Sequence, residues 1–557
     1  MHTKGVLITG LISAQLCTAT DAFAFECSVS ALQSYDIDGV TVTEVTATAS
    51  GTPACLVDGT VITKGNNIGE GLAKFQIRLP QKWNNRFLML GNGGLAGTVK
   101  ASANTVDVAY ANDSGYVTAM TDLGHTAESG LDASFALIED GSPNAPAIAD
   151  YYYRASHVVT NTAKAFAQAV YGESPGYSYL SGCSTGGRMA QVAAARYPDD
   201  FDGVISGAAF MDVSSMLKIQ HFQINQLLAD DAQILPNTLP VIQNAVMASC
   251  DAVDGVTDGM IQNPAACSFA PESLICDGAD SDNCLTKPQA AALRAYFTAL
   301  HTDDGRLVYP GYAPVLFDGG FSLFQGGSVS ADDITAAEPW GNDGNPPAPI
   351  EWAFSDHIIQ YLVMQDPDYN VRDFGIDADG TIPSDALAYF IKMTQDGNGS
   401  GLDETEAFFD QGKKMILYHG WGDHALSPFR TVRFVDDLAR RKGGYDALSQ
   451  SARLFMVPEM GHCSGGTGPD SFNTLAALEN WVENGVAPAT IAAEKLTEAG
   501  DVTRSMPLCP YPAQAHYSGE GDVNDTSNWS CPSAPSEVIL GSVGISAGLL
   551  SAGEPTQ

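Results

Sequence analysis

The amino-acid sequence predicts an α/β protein in which a mostly parallel sheet is flanked by helices and is interrupted by a long inserted region. Three observations carry this prediction. Short apolar segments bounded by turn residues alternate with helical patterns up to about residue 212. Between about 213 and 410 the pattern changes to helices mixed with clusters of Gly, Pro, Asn and Asp. From about 411 onwards the alternation of strand and helix resumes.

The predicted strands are short runs rich in apolar and aromatic residues, and several of them have the composition of strands that are buried on both faces. These runs are 75–79, 86–90, 116–120, 177–180, 414–419 and 452–457. The predicted helices are runs with alanine and larger apolar residues at helical spacing, and they cover 151–171, 188–197 and 433–442.

These patterns divide the chain into four parts. Residues 1–24 are a predicted signal peptide, because a lysine precedes a short apolar stretch and Ala22-Phe23-Ala24 is a small-residue cleavage site. Residues 25–212 and 411–535 form the predicted α/β domain. Residues 213–410 form a domain inserted into it, and residues 536–557 form a C-terminal tail.

Composition excludes several functional classes. The chain has 65 acidic and 27 basic side chains, a formal net charge of −38, and 45 % apolar residues. This acidity argues against a nucleic-acid partner and against an anionic membrane, and the apolar content argues against a disordered chain. No later stretch reaches the roughly 20 apolar residues of a membrane span. We therefore expect a soluble secreted protein, extracellular or periplasmic, while its oligomeric state has no signal in the sequence.

The cysteines predict disulfide bonds. Ten remain after removal of the signal peptide, and an even number in an exported chain favours pairing. Eight are sequence neighbours that would close local loops: Cys27–Cys55, Cys250–Cys267, Cys276–Cys284 and Cys509–Cys531. Cys183 and Cys463 are left over and lie far apart. Spacing alone leaves the connectivity open, and it offers no Cys-x-x-Cys pair of the kind that binds zinc.

The most informative motif is Gly182-Cys183-Ser184-Thr185-Gly186, a Gly-x-Ser-x-Gly turn between a predicted strand and a predicted helix. This is the context of a nucleophile elbow, in which a strained turn exposes the serine Oγ and small neighbours leave room for it. The helix N-terminus beneath the serine also stabilises negative charge. A second match, around Ser546, has no histidine after it, and we interpret it as chance. Ser184 is therefore the predicted nucleophile.

A serine nucleophile needs a base and an acid that orients the base, and in α/β-hydrolases these follow the serine in the order Asp, His. Asp423 and His462 each lie in a loop directly after a predicted strand, in that order. Order and position together predict a Ser184, His462, Asp423 triad. His419 and His424 are rival bases, although both are so close in sequence to Asp423 that neither easily serves as its separate partner.

Cys183 directly precedes the predicted nucleophile and Cys463 directly follows the predicted base, so the two cysteines are within disulfide reach if the serine and the histidine meet. With these residues the chain resembles the tannase and feruloyl esterase family, which also includes hydrolases of mono(2-hydroxyethyl) terephthalate (MHET). The resemblance covers nearly the whole mature chain and rests on the following motifs: Cys183-Ser184 with Gly186-Gly187-Arg188, Gly-Trp-Gly-Asp423, His462-Cys463 and the cysteine spacing. It implies an α/β-hydrolase fold, a large lid domain at 213–410, the triad and a Cys183–Cys463 disulfide.

An acyl-transfer site also needs hydrogen-bond donors for the oxyanion. One donor is expected to be the backbone N–H of Thr185, the residue after the nucleophile. The second is expected from the glycine-rich segment Gly91-Asn92-Gly93-Gly94 after a predicted strand, and the family has a comparable loop there. We favour Gly94, with Gly93 as the alternative.

The inserted region contains a segment at 250–260, here named the acidic loop, with three aspartates separated by glycines. Such a segment can surround a hard cation with oxygen ligands, although it lacks the glutamate of an EF-hand. The resemblance implies a structural Ca²⁺ site with carboxylate ligands from Asp251, Asp254 and Asp258 and main-chain carbonyl ligands from Val256 and Met260. No organic cofactor is expected.

The lid is expected to form the wall against which a planar acid packs, with Trp340 and Phe354 as candidate contacts. No Lys or Arg occurs from residue 307 to 371, which favours a neutral hydroxycinnamoyl or galloyl acid over the second carboxylate of MHET. We therefore predict a secreted serine carboxylesterase that hydrolyses small esters of aromatic acids through an acyl-enzyme. The alternatives are an MHET hydrolase with the same triad and, in another class, a calcium-stabilised binding protein on an inactive hydrolase fold.

Overall fold

The structure is a computed structural model that describes residues 25–227, 229, 231–234, 236–279, 281, 283–326 and 349–532. The predicted signal peptide at 1–24, the candidate contact Trp340 and the predicted tail at 536–557 lie outside the described residues. Among the helices of the described part, none combines the length and the apolar character that a membrane crossing requires.

The strands of the described residues have the following bounds: β1 (Val40–Thr48), β2 (Ala54–Thr63), β3 (Gly71–Pro80), β4 (Arg86–Leu90), β5 (Val117–Thr121), β6 (Tyr177–Cys183), β7 (Gly203–Gly207), β8 (Leu300–Thr302), β9 (Leu307–Tyr309), β10 (Thr381–Ile382), β11 (Lys414–Gly420), β12 (Ala452–Val457), β13 (Ser471–Phe472), β14 (Ile491–Leu496), β15 (Val502–Leu508), β16 (His516–Tyr517) and β17 (Trp529–Ser530).

The α-helices of the same residues are α1 (Val29–Gln33), α2 (Thr105–Ser114), α3 (Ala145–Ala149), α4 (Ala155–Tyr171), α5 (Thr185–Arg196), α6 (Ser215–Gln220), α7 (Leu239–Cys250), α8 (Lys287–Phe297), α9 (Ser322–Phe324), α10 (Ile350–His357), α11 (Ser384–Thr394), α12 (Leu402–Asp410), α13 (Pro428–Lys442), α14 (Tyr445–Leu448) and α15 (Thr474–Asn484).

The central sheet has the strand order β1-β2-β3-β5-β4-β6-β7-β11-β12. Strands β5, β4, β6, β7, β11 and β12 run parallel to one another, and β3, β2 and β1 extend the sheet beyond β5 as antiparallel strands. All six strands predicted from apolar runs belong to this sheet. The predicted α/β class with a mostly parallel sheet is therefore confirmed.

The parallel strands are buried on both faces, as their continuous apolar runs predicted. Within β4, Phe87 and Met89 join a core that includes α4, α5 and α13, whereas Leu88 and Leu90 join a second core on the other face with α2 and α15. Because successive strand side chains point to opposite faces, an unbroken apolar run is what a sheet between two helical layers requires.

Local sequence also sets the ends of the helix that follows β11. Helix α13 begins with Pro428 at its first position, where a missing N–H costs no hydrogen bond. Arg440, Arg441 and Lys442 occupy its last turn, where positive charge complements the helix dipole. Gly443, with φ of 89°, ends the helix in the left-handed conformation.

The segment between β7 and β11 contains helices α6 to α12 and a small sheet of β8, β9 and β10, which fits the predicted change of pattern. The structure also contains five disulfide bonds in the pairs expected: Cys27–Cys55, Cys183–Cys463, Cys250–Cys267, Cys276–Cys284 and Cys509–Cys531. Such bonds are typical of proteins that fold in an oxidising compartment.

Candidate active site

Ser184 lies in the turn between β6 and α5, at the carboxyl end of the parallel strands. Its φ of 61° is in the left-handed region, which a non-glycine residue rarely adopts. The turn is very tight, since a Cβ on Gly182 would lie 2.4 Å from the backbone of Gly186. Both flanking positions of the motif therefore require glycine, and the serine has the backbone of a nucleophile elbow.

His462 and Asp423 lie in the loops that follow the neighbouring strands β12 and β11. The Nδ1 atom of His462 is 2.7 Å from Oδ2 of Asp423. An ionised carboxylate only accepts hydrogen bonds, so Nδ1 carries the hydrogen and Nε2 is left as a proton acceptor. This is the tautomer that a general base for Ser184 needs.

The Asp423 carboxylate is fully buried and accepts four hydrogen bonds. Its Oδ1 accepts the backbone N–H groups of Ala425 and Leu426 at 2.8 and 2.9 Å, and its Oδ2 faces two imidazoles. Burial alone would raise the pKa of Asp423, but the imidazoles of His462 and His419 outweigh it and hold that pKa below its usual range. The residue is therefore an anion that fixes the orientation of His462.

The position of His419 differs from the expectation drawn from the sequence. We expected neither His419 nor His424 to be an easy partner of Asp423, yet Nε2 of His419 lies 3.0 Å from Oδ2 of Asp423. Its Nδ1 lies 2.8 Å from the hydroxyl of Thr431, and the ring is completely buried. Because His419 does not line the cavity described below, its place is behind the carboxylate rather than beside the serine.

His424 forms hydrogen bonds that connect two parts of the fold. Its Nδ1 lies 2.9 Å from the hydroxyl of Tyr296, and its Nε2 lies 3.0 Å from the carbonyl oxygen of Val315. Burial lowers the pKa of His424 to about 4, so the ring is neutral at neutral pH. These bonds join the loop that carries Asp423 to the inserted region.

Ser184 and His462 line one cavity of about 590 Å³. The Cys183–Cys463 disulfide, with a Cα–Cα distance of 5.9 Å, connects the residue before the serine to the residue after the histidine. The structure has no hydrogen bond between the side chains of Ser184 and His462. Catalytic hydrogen bonds of this kind are often long without substrate and tighten when it binds.

Thr185 and Gly94 meet beside the serine. The Thr185 hydroxyl donates to the carbonyl oxygen of Gly94 at 2.7 Å, and both residues line the cavity. The N–H of Gly93 donates to the side chain of Asn92 at 2.7 Å, whereas the N–H of Gly94 has no acceptor among the described residues. Gly94 is thus the better placed of the two glycines to donate to an oxyanion.

The cavity is lined largely by apolar and aromatic side chains, among them Leu131, Phe210, Met216, Phe324, Ile350, Phe354 and Leu426. The candidate contact Phe354 is one of them, and its ring would lie 3.3 Å from a Cβ on Gly94. The ring of Phe324 packs edge-on against His462, with centroids 5.5 Å apart. Phe324, Ile350 and Phe354 are thus contributions of the inserted region to the cavity wall.

Two ionisable side chains outside the triad, Lys100 and Glu351, line the cavity. Lys100 is exposed and belongs to the loop after β4, so it supplies a cation that the inserted region does not offer. Glu351, in α10, is only 4 % exposed. Burial, with the nearby charge of Asp423 adding to it, raises the pKa of Glu351 well above its usual range. Its carboxyl group is therefore protonated more easily than that of an exposed glutamic acid.

The aspartates of the acidic loop accept hydrogen bonds from the loop's own backbone. Asp251 accepts the N–H of Asp258 at 3.1 Å, Asp254 accepts the N–H of Val256 at 3.2 Å, and Asp258 accepts the N–H of Met260 at 3.1 Å. Within the residues described, no three carboxylate, imidazole or thiol groups converge as a metal site. The donors are all oxygens, which suits Ca²⁺ chemically, but their present arrangement is that of a hydrogen-bonded turn.

Negative charge is concentrated in the acidic loop. Burial, together with the charges of Asp258 and Asp251, raises the pKa of Asp254 to about 6. The nearest cation is Arg504, whose guanidinium lies 3.3 Å from Asp258. A bound cation would relieve the remaining repulsion.

Comparison with known proteins identifies the family of this chain. The profile described as "Tannase and feruloyl esterase" matches residues 59–532. This chain belongs to the tannase and feruloyl esterase family. It is a carboxylic ester hydrolase.

Two relatives illustrate the range of the family. The chain is 31 % identical over 543 residues to a mono(2-hydroxyethyl) terephthalate hydrolase of Piscinibacter sakaiensis, a match that covers 88 % of this chain and 87 % of the relative. It is 29 % identical over 475 residues to feruloyl esterase B of Aspergillus niger, covering 81 % and 82 % of the two chains.

Solved structures show the same fold. An esterase from Aspergillus oryzae superimposes with a TM-score of 0.76 at 25 % identity, covering 90 % of this chain and 99 % of that one. Feruloyl esterase B from Aspergillus oryzae superimposes with a TM-score of 0.74 at 24 % identity, covering 89 % and 97 %.

Proposed function

We propose that this protein is an exported serine esterase that hydrolyses small esters of aromatic acids through an acyl-enzyme. The observation that carries the proposal is a single cavity lined by Ser184, by His462, which Asp423 orients, and by aromatic side chains. The alternative is a binding protein on an inactive hydrolase fold. Such a protein would not need a serine in a nucleophile elbow together with a base and a carboxylate that orients the base.

The reaction follows from the positions of the groups. As the Oγ of Ser184 attacks the ester carbonyl, Nε2 of His462 accepts its proton, and Asp423 stabilises the imidazolium that forms. The N–H groups of Thr185 and Gly94 hold the oxyanion of the tetrahedral intermediate. His462 then returns the proton to the departing alcohol, which leaves an acyl-serine. A water molecule, deprotonated by the same histidine, hydrolyses this ester and releases the acid.

The cavity favours a planar aromatic acid. Phe354 borders the loop of Gly94, so an acyl group whose carbonyl oxygen is held by that loop lies against an aromatic ring. The part of the wall that Ile350, Glu351 and Phe354 form contains no basic side chain. A feruloyl, hydroxycinnamoyl or galloyl group is therefore the acid that we propose.

A second candidate is MHET. The 31 % identical relative from Piscinibacter sakaiensis carries that activity in its name, and Lys100 lines the cavity. An exposed lysine on a loop can pair with the distal carboxylate of a terephthalate half-ester at the mouth of the cavity.

We also propose that residues 213–410 act as the lid, because they supply Phe324, Ile350, Glu351 and Phe354 to the cavity wall. Ca²⁺ in the acidic loop would be structural, since the loop contributes no residue to that cavity. In that role, Asp251, Asp254 and Asp258 would hold the ion, with the carbonyl oxygens of the loop.

The proposal is tested by steady-state hydrolysis of methyl ferulate, methyl gallate and MHET. We expect turnover of at least one ester by the mature protein, loss of that turnover in Ser184→Ala, and its retention in the matched control Ser546→Ala. The order of kcat/KM among the three esters identifies the acid. Absence of hydrolysis of all three, in a protein shown to be folded, would contradict the proposed substrate class.

A further inference from the structure

Glu351 holds an unusual place in the cavity wall. It is the second residue of α10, it is 4 % exposed, and it lines the cavity that contains Ser184. Phe354 lies three residues further on and lines the same cavity, so the two side chains lie on one face of the helix. A group that stacks on Phe354 is therefore within reach of the Glu351 carboxyl.

Among the described residues the Glu351 carboxyl forms no hydrogen bond and no ion pair. Tyr296 and Tyr312 are the tyrosines close enough for a charge on Glu351 to raise their pKa values, and both hydroxyls are engaged elsewhere. The Tyr296 hydroxyl pairs with His424, and the Tyr312 hydroxyl donates to a backbone carbonyl at 2.9 Å. A polar group that is shielded from water and lacks a partner costs stability, so a carboxyl of this kind in the cavity wall points to a partner that arrives with the ligand.

The chemistry of that partner is restricted. Burial favours the protonated form of the Glu351 carboxyl, which both donates and accepts a hydrogen bond, and a hydroxyl group is the complement of the protonated and of the ionised form. A carboxylate would add a second negative charge beside Asp423, in a wall whose described cation, Lys100, is exposed. Ethers offer only an acceptor, and unsubstituted rings offer no polar partner at all.

We infer that Glu351 is a substrate-binding residue that recognises a hydroxyl group of the aromatic ester. The inference rests on the proposed function and deepens it by naming the chemical group of the substrate that the cavity recognises. The hydroxyl belongs either to the ring of the acid or to the alcohol, and the experiment distinguishes these sources.

Two sets of matched esters supply the test. In the first set the ring of the acid varies: methyl 3,4-dihydroxycinnamate, methyl 3,4-dimethoxycinnamate and methyl cinnamate. In the second set the alcohol varies: 2-hydroxyethyl cinnamate and ethyl cinnamate. Each ester is tested with the wild-type enzyme and with two variants of Glu351. Glu351→Gln keeps a hydrogen-bond donor and an acceptor in the side chain. Glu351→Met keeps a side chain of similar length without these groups. Asp356→Asn is the matched control, because Asp356 is a buried acid of the same helix that does not line the cavity.

Wild type should prefer the hydroxylated member of one set by about tenfold or more in kcat/KM, because the unhydroxylated ester leaves a buried carboxyl unpaired. Glu351→Met should abolish that preference by losing activity on the hydroxylated ester alone. Glu351→Gln and Asp356→Asn should keep the preference within about threefold. A preference in the first set assigns the hydroxyl to the acid, and one in the second set assigns it to the alcohol.

The inference is overturned if Glu351→Met lowers activity equally on all esters, or if neither set shows a preference in wild type. A measurement of binding tests the role of Glu351 independently of turnover. In the Ser184→Ala background, calorimetry measures Kd for the same esters, and Glu351→Met should raise Kd for the hydroxylated ester by about tenfold. If wild type hydrolyses none of the esters, the proposed function fails, while these Kd values still decide the role of Glu351.

Discussion

Removal of the Cys183–Cys463 disulfide should reduce both stability and catalysis, and a second disulfide provides the control. This bond closes a loop of 280 residues, whereas Cys276–Cys284 closes one of 8. In the loop-closure treatment of the unfolded chain, these lengths correspond to about 5.6 and about 2.5 kcal/mol of stabilisation at 25 °C. The double change Cys183→Ala with Cys463→Ala should therefore cost about 3 kcal/mol more than the change of both control cysteines to alanine.

The effect on kcat should distinguish the two disulfide bonds more clearly than the effect on stability does. The cysteines at 183 and 463 adjoin the nucleophile and the base, and a shift of about 1 Å between reacting groups costs about 100-fold in rate. We expect kcat to fall by about that factor in the first double variant and to stay unchanged in the control. Urea unfolding followed by tryptophan fluorescence and initial rates on one aromatic ester are the two assays. Retention of full kcat without the Cys183–Cys463 bond would refute the view that it positions the serine and the histidine.

Three further predictions address other parts of the site. His419→Phe should lower kcat about tenfold with little change in KM, because Asp423 loses one of its hydrogen-bond partners and orients His462 less firmly. Thr431→Val, one bond further away, should have a smaller effect, and an unchanged kcat in His419→Phe would contradict a positioning role of His419. Gly94→Ala should cost about 100-fold or more in kcat, since φ there is 58° and a Cβ would lie 2.5 Å from a carbonyl oxygen, whereas Gly93→Ala should cost less. Chelation of Ca²⁺ by EGTA should lower the midpoint of thermal unfolding and leave kcat unchanged below it; an unchanged midpoint would contradict Ca²⁺ binding by the acidic loop.

The elements next to the chemistry were predictable because their signals are local. The parallel strands bury both faces, so β4, β11 and β12 contain unbroken apolar runs, and the tight turn at Ser184 requires the glycines that mark it. By contrast, β1 lies at the antiparallel edge of the sheet, and about half of its residues are exposed. Its many threonines and interrupted apolar pattern do not distinguish it from a loop.

The finer features of the site depend on contacts that the sequence does not encode locally. His419 is a partner of Asp423 because the loop after β11 folds back over the end of its own strand, which brings two residues four positions apart face to face. Lys100 and Glu351 reach one cavity from distant parts of the chain, so neither stood out. The stretch from 307 to 371, which has no Lys or Arg, offers no cation to the cavity, and the loop after β4 supplies one in Lys100.

The most direct test of the central claim is mass spectrometry of the mature protein after reaction with a fluorophosphonate. We predict one covalent label on the peptide that contains Ser184, no label in Ser184→Ala, and a strongly slowed reaction in His462→Ala. A folded wild-type protein that remains unlabelled, or one that is labelled at another serine while Ser184→Ala still hydrolyses aromatic esters, would contradict the assignment of Ser184 as the nucleophile.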